Sequence, residues 1–315
     1  MVQRAQKGVK DAMKRSDVRM PVRVGQFYEA SPTVLKQTAL EYVAGYVPPK
    51  NLGTLLGGVV PHAGWMYSGR TAAMVFATLA AAKPETYVLL GAVHQWHGRK
   101  GGIFPSGSWL TPLGELPVDA DLASAILEAA HGSILSSAAA HDMEHSIEVQ
   151  LPFIQALSPG AKIVPIAVPP VPEAAGMGEA VAAAVAQASK RVMVVASTDL
   201  THYGMDYGTP DHGPLSKAMG WMHANDRRVI SLAESLKAEE IVAEAQEHFN
   251  SCGPGALAAA TAAARAMGAT AGRVLEYTTS AEVLNELDAD RAVGYVGMVF
   301  EKLRNRGDND GKTGD

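Results

Sequence analysis

Short runs of β-branched and apolar residues alternate with longer alanine-rich stretches along most of this chain, which restricts it to an α/β fold with helices between the strands of one sheet. The strand-like runs are residues 54–60, 86–91, 162–168, 191–197, 274–278 and 292–300. Helices are expected over residues 31–44, 68–82, 120–130, 146–157, 172–189, 215–236, 238–248 and 254–267. Ser31 followed by Pro32 reads as an N-cap with proline in the first turn. Alanine dominates several of these helices, so they are expected to lie close against the sheet, where small side chains let backbones approach. The proline-rich stretch 169–172 falls between elements and does not separate two halves of different composition. A single domain with a mostly parallel central sheet flanked by helices is the expected architecture. It would span residues 22–300, after a basic N-terminal arm at 1–21 and before a frayed tail at 301–315.

Composition narrows the function classes. With 27 basic against 32 acidic side chains in 315 residues, the chain has no overall attraction for nucleic acid or anionic membrane. No stretch approaches the ~18 uninterrupted apolar residues of a membrane span. The single cysteine, Cys252, excludes an internal disulfide framework and fits a reducing, cytoplasmic compartment. The basic N-terminus lacks the apolar segment of a secretory signal and reads as a surface arm. No Walker loop, GxGxxG, HExxH or GxSxG pattern is present.

Among the ten histidines, His62, His94 and His202 each lie just past the end of a strand-like run. In open α/β sheets ligand crevices form at the carboxyl ends of strands, so one rim would receive all three imidazoles. Cys252 directly precedes a helix whose first turn holds Pro254. A helix N-terminus stabilises a thiolate, which makes Cys252 a candidate ligand or nucleophile, although a lone cysteine is more commonly a small buried hydrophobe. Two imidazoles and a thiolate suit zinc, iron or copper and leave positions open. The same residues also allow a metal-free hydrolase, with Cys252 as nucleophile, a histidine as base and Asp199 orienting it. In 142–153, Ser146 is a candidate helix cap, while Glu144 and His145 are candidates for orienting a metal ligand from behind. The turn at 98–102 could cradle an anion, but reads more simply as a solvated loop.

Five ordered segments carry a resemblance. PHAGWMYSG at 61–69, GAVH at 91–94, EHSIEVQLP at 144–152, STDLTHYG at 197–204 and Cys252-Gly253 are similar to the motifs of the Memo family, with GQFY at 25–28 and Gly294-Tyr295 as further matches. The resemblance implies a fold like that of class III extradiol dioxygenases, non-haem iron enzymes that open catechol rings. It implies a metal site on His62, His94 and Cys252, with Fe2+ favoured and copper or zinc as alternatives, and Asp199 and His202 in the same pocket, His202 as acid/base. A small phenolic or catecholic substrate and dioxygen would be the reactants. Radical-SAM and AMMECR-type proteins are implied as pathway neighbours, and some relatives are regarded as adaptor or metal-handling proteins. The sequence departs from many relatives at Gln95, where they carry a second histidine, and at Pro254, where they carry arginine.

Overall fold

The computed structural model describes residues 17–95, 98–209, 212–286 and 288–303. In chain order the elements are β1 (Val18–Arg19), α1 (Pro32–Glu41), β2 (Thr54–Val60), α2 (Trp65–Ala80), β3 (Thr86–Gly91), β4 (Gly101–Ile103), β5 (Ser108–Thr111), β6 (Gly114–Pro117), α3 (Ala120–Ala129) and β7 (Ile134–Ser136). There follow α4 (Leu151–Leu157), β8 (Lys162–Ala167), α5 (Ala174–Gln187), β9 (Val192–Ser197), β10 (His202–Tyr203), α6 (Leu215–Glu234), α7 (Ala238–His248), α8 (Pro254–Ala266), β11 (Ala271–Thr279), α9 (Ser280–Leu284) and β12 (Ala292–Lys302).

Nine strands form one mixed sheet in the order β10-β12-β2-β9-β3-β8-β4-β7, with β11 also pairing β12. Its centre, β2-β9-β3-β8, is parallel, as expected for strands returned by helices. The margins are antiparallel: β12 against β2, β10 and β11, and β4 against β8. The central strands are buried on both faces, and alternate residues divide between two cores. Val59, Val88, Leu90 and Val194 face α3, α5 and α8, while Val60, Tyr87, Leu89 and Val195 face α2 and α4. Every residue of α8 from Pro254 to Ala264 is buried, and its alanines let α5 approach so closely that a Cβ on Gly178 would stand 1.9 Å from the Ala259 carbonyl oxygen. The expected close packing of alanine-rich helices is what the fold uses.

Several boundaries differ from the sequence reading. Residues 1–16 of the expected arm lie outside the described residues, but 17–21 do not form a surface arm. Val18 and Arg19 pair with β5 in a small three-stranded sheet, and the Arg19 guanidinium is buried against the Glu148 carboxylate. A basic residue enters the body because an acidic partner is waiting there. At the other end, Glu301 and Lys302 continue β12 and Glu301 is buried, taking Arg273 Nε at 2.5 Å, so the tail cannot begin at 301; residues 304–315 lie outside the description. The expected helix at 146–157 is a 3-10 turn, Glu148–Gln150, followed by α4, and Ser146 caps neither. Ser31 precedes α1 as expected, yet its hydroxyl makes no capping bond. Of the turn expected at 98–102, Arg99 and Lys100 are exposed loop residues, whereas Gly101 and Gly102 are buried in β4.

Candidate metal centre

The parallel centre delivers the site. Val60 and Ser197 are in register on neighbouring β2 and β9, and β3 lies on the other side of β9. The chain leaves these three strands at one end of the sheet as His62, His94 and Asp199, as the strand-end argument requires. Cys252 reaches the same end from the loop before α8. That loop is pinned by Gly253 N–H donating to Thr198 Oγ1 (2.9 Å) and Cys252 N–H to the Asp199 carbonyl (3.2 Å). A Cβ on Gly253 would stand 2.9 Å from the Ser197 carbonyl oxygen, so glycine is what allows the approach.

The imidazoles of His62, His94 and His145 converge, with one nitrogen of each within 4.8 Å of the others. Hydrogen bonds fix two of the tautomers. Ser197 Oγ donates to the Ser146 carbonyl (2.7 Å) and accepts from Gln150 Nε2 (3.1 Å), so toward His62 Nδ1, at 3.1 Å, it acts as acceptor. His62 Nδ1 therefore carries the proton and Nε2 the lone pair. In its neutral form His94 likewise keeps its proton on Nδ1, 3.0 Å from the Glu144 carboxylate, so that Nε2 faces the cluster. Glu144 also accepts the backbone N–H groups of His94, His145 and Ser146 at 2.8–2.9 Å. Burial opposes the charge on Glu144, but these donors hold its carboxyl far below the usual range. A carboxylate behind a histidine is the usual device for aiming an imidazole at a metal.

Cys252 Sγ lies 3.2 Å from His62 Nε2 and accepts the Asp199 N–H at 3.2 Å. Burial pushes the thiol up, but the neighbouring imidazoles outweigh it and bring the group down to about 7. His94 moves the other way: burial opposes its charge, while Cys252 and Glu144 raise it to about 10. His145 is lowered to about 3, first by burial and then by the imidazoles crowded around it, so it stays neutral. Its ring stacks on His94 at 4.9 Å and receives Phe27 edge-on at 4.9 Å. The donor set of imidazoles beside a readily ionised thiol fits a transition metal.

Above this cluster opens a cleft of about 710 Å³, whose walls include Phe27, Tyr67, Asp199, His202, Tyr207 and Tyr295. His202 Nδ1 lies 2.9 Å from the Leu200 carbonyl, and its ring meets Tyr207 at 5.0 Å. Asp199 is fully enclosed. Its Oδ1 accepts the His62 N–H at 2.6 Å, and burial raises its carboxyl above the ordinary value. The Leu200 carbonyl, and not Asp199, is thus the hydrogen-bond partner that orients His202.

His62, His94 and Cys252 are brought together, with Asp199 and His202 on the same cleft and Glu144 behind His94. His145, expected behind the ligands, stands among them. Ser197 and Gln150, which fix the His62 tautomer, had no signal of their own, because a serine ending a strand and a glutamine in an amphipathic run are ordinary. Among the described residues no helix is long and apolar enough to cross a membrane.

The profile of the family described as Memo-like protein matches residues 19–299. A MEMO1 family protein of Thermococcus onnurineus is 36% identical over 300 residues, covering 90% of this chain and 100% of that one. A MEMO1 family protein of Pyrococcus abyssi is 35% identical over 294 residues, with 90% and 100% covered. One of Methanopyrus kandleri is 36% identical over 297 residues, with 90% and 99% covered. With matches that run nearly end to end in both partners, the chain belongs to the Memo-like protein family.

Proposed function

We propose that this protein is a non-haem metal-dependent oxidoreductase, with iron as the favoured metal, that acts on a small phenolic or catecholic substrate with dioxygen. The observation that carries the reading is the pair of imidazoles aimed by Ser197 and Glu144, each with Nε2 turned to the cluster, on the floor of a cleft that also holds a histidine outside the cluster. His62, His94 and Cys252 would hold the metal, with His145 within reach of the same point. The bound metal would supply Lewis acidity and redox capacity.

The chain's own residues do the rest. His202, with Nδ1 committed to the Leu200 carbonyl, offers Nε2 to the cleft and takes or returns the proton of a substrate hydroxyl there. Asp199 fixes the His62 backbone by accepting its N–H. Phe27, Tyr67 and Tyr207 give the cleft aromatic walls suited to a flat ring.

A second reading, a metal-free cysteine nucleophile, draws on the 3.2 Å contact between Cys252 and His62 and on the lowered thiol pKa. Of the two imidazoles beside the thiol, His62 meets Ser197 and no carboxylate at Nδ1, whereas His94 carries Glu144 there. Anaerobic purification with elemental analysis, followed by oxygen uptake against a panel of catechols, tests the first reading. Stoichiometric iron with catechol-dependent oxygen uptake supports it, and metal without turnover supports a metal-binding or adaptor role instead. Iodoacetamide labelling of Cys252 that ignores added metal would favour the nucleophile.

A further inference from the structure

Tyr295 lines the cleft from β12 and is only 1% exposed. Its strand is fastened to the loop that carries Asp199 and His202: Leu200 N–H donates to the Gly294 carbonyl at 2.8 Å, and Gly294 N–H to the Thr201 carbonyl at 3.0 Å. One residue further back, Val293 pairs with His202 itself. A Cβ on Gly294 would stand 2.1 Å from buried Asp226 Oδ2, whose partner oxygen takes Thr201 N–H at 2.9 Å, so this junction is closely packed. Tyr295 and the Asp199–His202 loop are therefore parts of one fixed wall.

The phenol's hydrogen bonding is incomplete. Ser280 Oγ, which accepts Val293 N–H at 3.0 Å, is the hydroxyl beside the Tyr295 oxygen and keeps one proton and one lone pair for it. Whichever of the two hydroxyls donates, the phenol keeps capacity for a further hydrogen bond on the cleft side. A hydroxyl that opens on a cleft with hydrogen-bonding capacity left over is placed to meet an oxygen of whatever the cleft holds. Burial, then the Asp199 charge, raise the phenol well above its ordinary value, so it remains a donor across the working range.

We propose that Tyr295 is a further catalytic residue of this cleft, donating a hydrogen bond to a phenolic oxygen of the bound substrate. The inference rests on the oxidoreductase reading and adds to it the group that meets substrate oxygen from the β12 side, separate from the proton acceptor His202.

The test uses the full chain loaded with zinc, which binds without turnover, and 4-nitrocatechol as a chromophoric probe whose absorbance reports the ionisation and hydrogen bonding of its oxygens. Tyr295→Phe keeps the ring and removes only the hydroxyl. Roughly tenfold weaker probe binding is expected, as for loss of one hydrogen bond to a charged oxygen. A displaced absorbance maximum of the bound probe should accompany it, which a merely structural role would not produce. Ser280→Ala should give a smaller change in the same direction. Should parent and Tyr295→Phe bind the probe with equal affinity and identical spectra, the assignment of Tyr295 is overturned while the oxidoreductase reading stands. Should the parent itself fail to bind 4-nitrocatechol, the phenolic reading is overturned, and the role given to Tyr295 with it.

Discussion

His94 is the residue at which protonation and metal binding compete most directly. Its pKa is raised to about 10 by Cys252 and Glu144 against the opposing effect of burial, so at neutral pH the free site holds an imidazolium that a metal must deprotonate. The sign follows: metal affinity climbs with pH up to about 10, by at most about one decade per pH unit from this group. As pH falls below about 7, Cys252 also takes up a proton and the loss steepens. Chelator competition between about pH 6 and pH 9 checks this, and an affinity that is level above pH 7 would contradict it. Glu144→Gln keeps an acceptor for the backbone N–H groups of His145 and Ser146 but removes the charge behind His94, so metal affinity should fall about 10- to 100-fold with the fold intact. His202→Ala, by contrast, should retain the metal and lose turnover, because its ring is tied to the Leu200 carbonyl and stands outside the cluster. Metal content and oxygen uptake, measured on the same preparation, separate these two variants.

Elements were legible where one physical signal dominated. β2 and β3 match their expected bounds, because a run buried on both faces is uniformly apolar and ends where the polar site loop begins. α7 and the start of α8 match for a similar reason, since Pro254 suits the first turn and nothing competes with it. The helix over 146–157 was overextended. Its amphipathic spacing is real, but Glu144 and Glu148 are committed to His94 and to Arg19, and those tertiary bonds hold the first residues in a loop and a 3-10 turn. β4, β5, β6 and β7 have three or four residues each, too few to show a period of two. The helix contact behind the site offers a direct test. Gly178→Ala would drive a Cβ into the Ala259 backbone, which cannot swing aside, and should cost about 1–3 kcal/mol of stability by denaturant titration. Gly176→Ala, where a Cβ meets nothing within 4 Å, should be neutral or mildly stabilising.

For the molecule as a whole, the N-terminal segment is part of the site's architecture. Glu148 accepts Val22 N–H, Arg23 N–H and Tyr28 OH at 2.8–3.0 Å and pairs with buried Arg19, so one carboxylate fastens residues 19–28 beside the cleft that Phe27 lines. Glu148→Ala leaves the guanidinium uncompensated and should destabilise the fold by about 3–5 kcal/mol; a loss under about 1 kcal/mol would show that the pair is solvated. The chemistry itself was readable as histidines at strand ends, but the tautomers, the nearness of His145 and the burial of Arg19 depend on contacts between residues 50 to 135 positions apart in sequence. The central claim is that His62, His94 and Cys252 form one metal centre and His202 serves it from outside. Iron content after anaerobic reconstitution, measured for the parent, His94→Ala, Cys252→Ser and His202→Ala at matched thermal stability, tests it most directly. The account predicts stoichiometric iron in the parent and in His202→Ala and its loss in the other two; equal loading of all four, or a parent that takes up no iron, would contradict it.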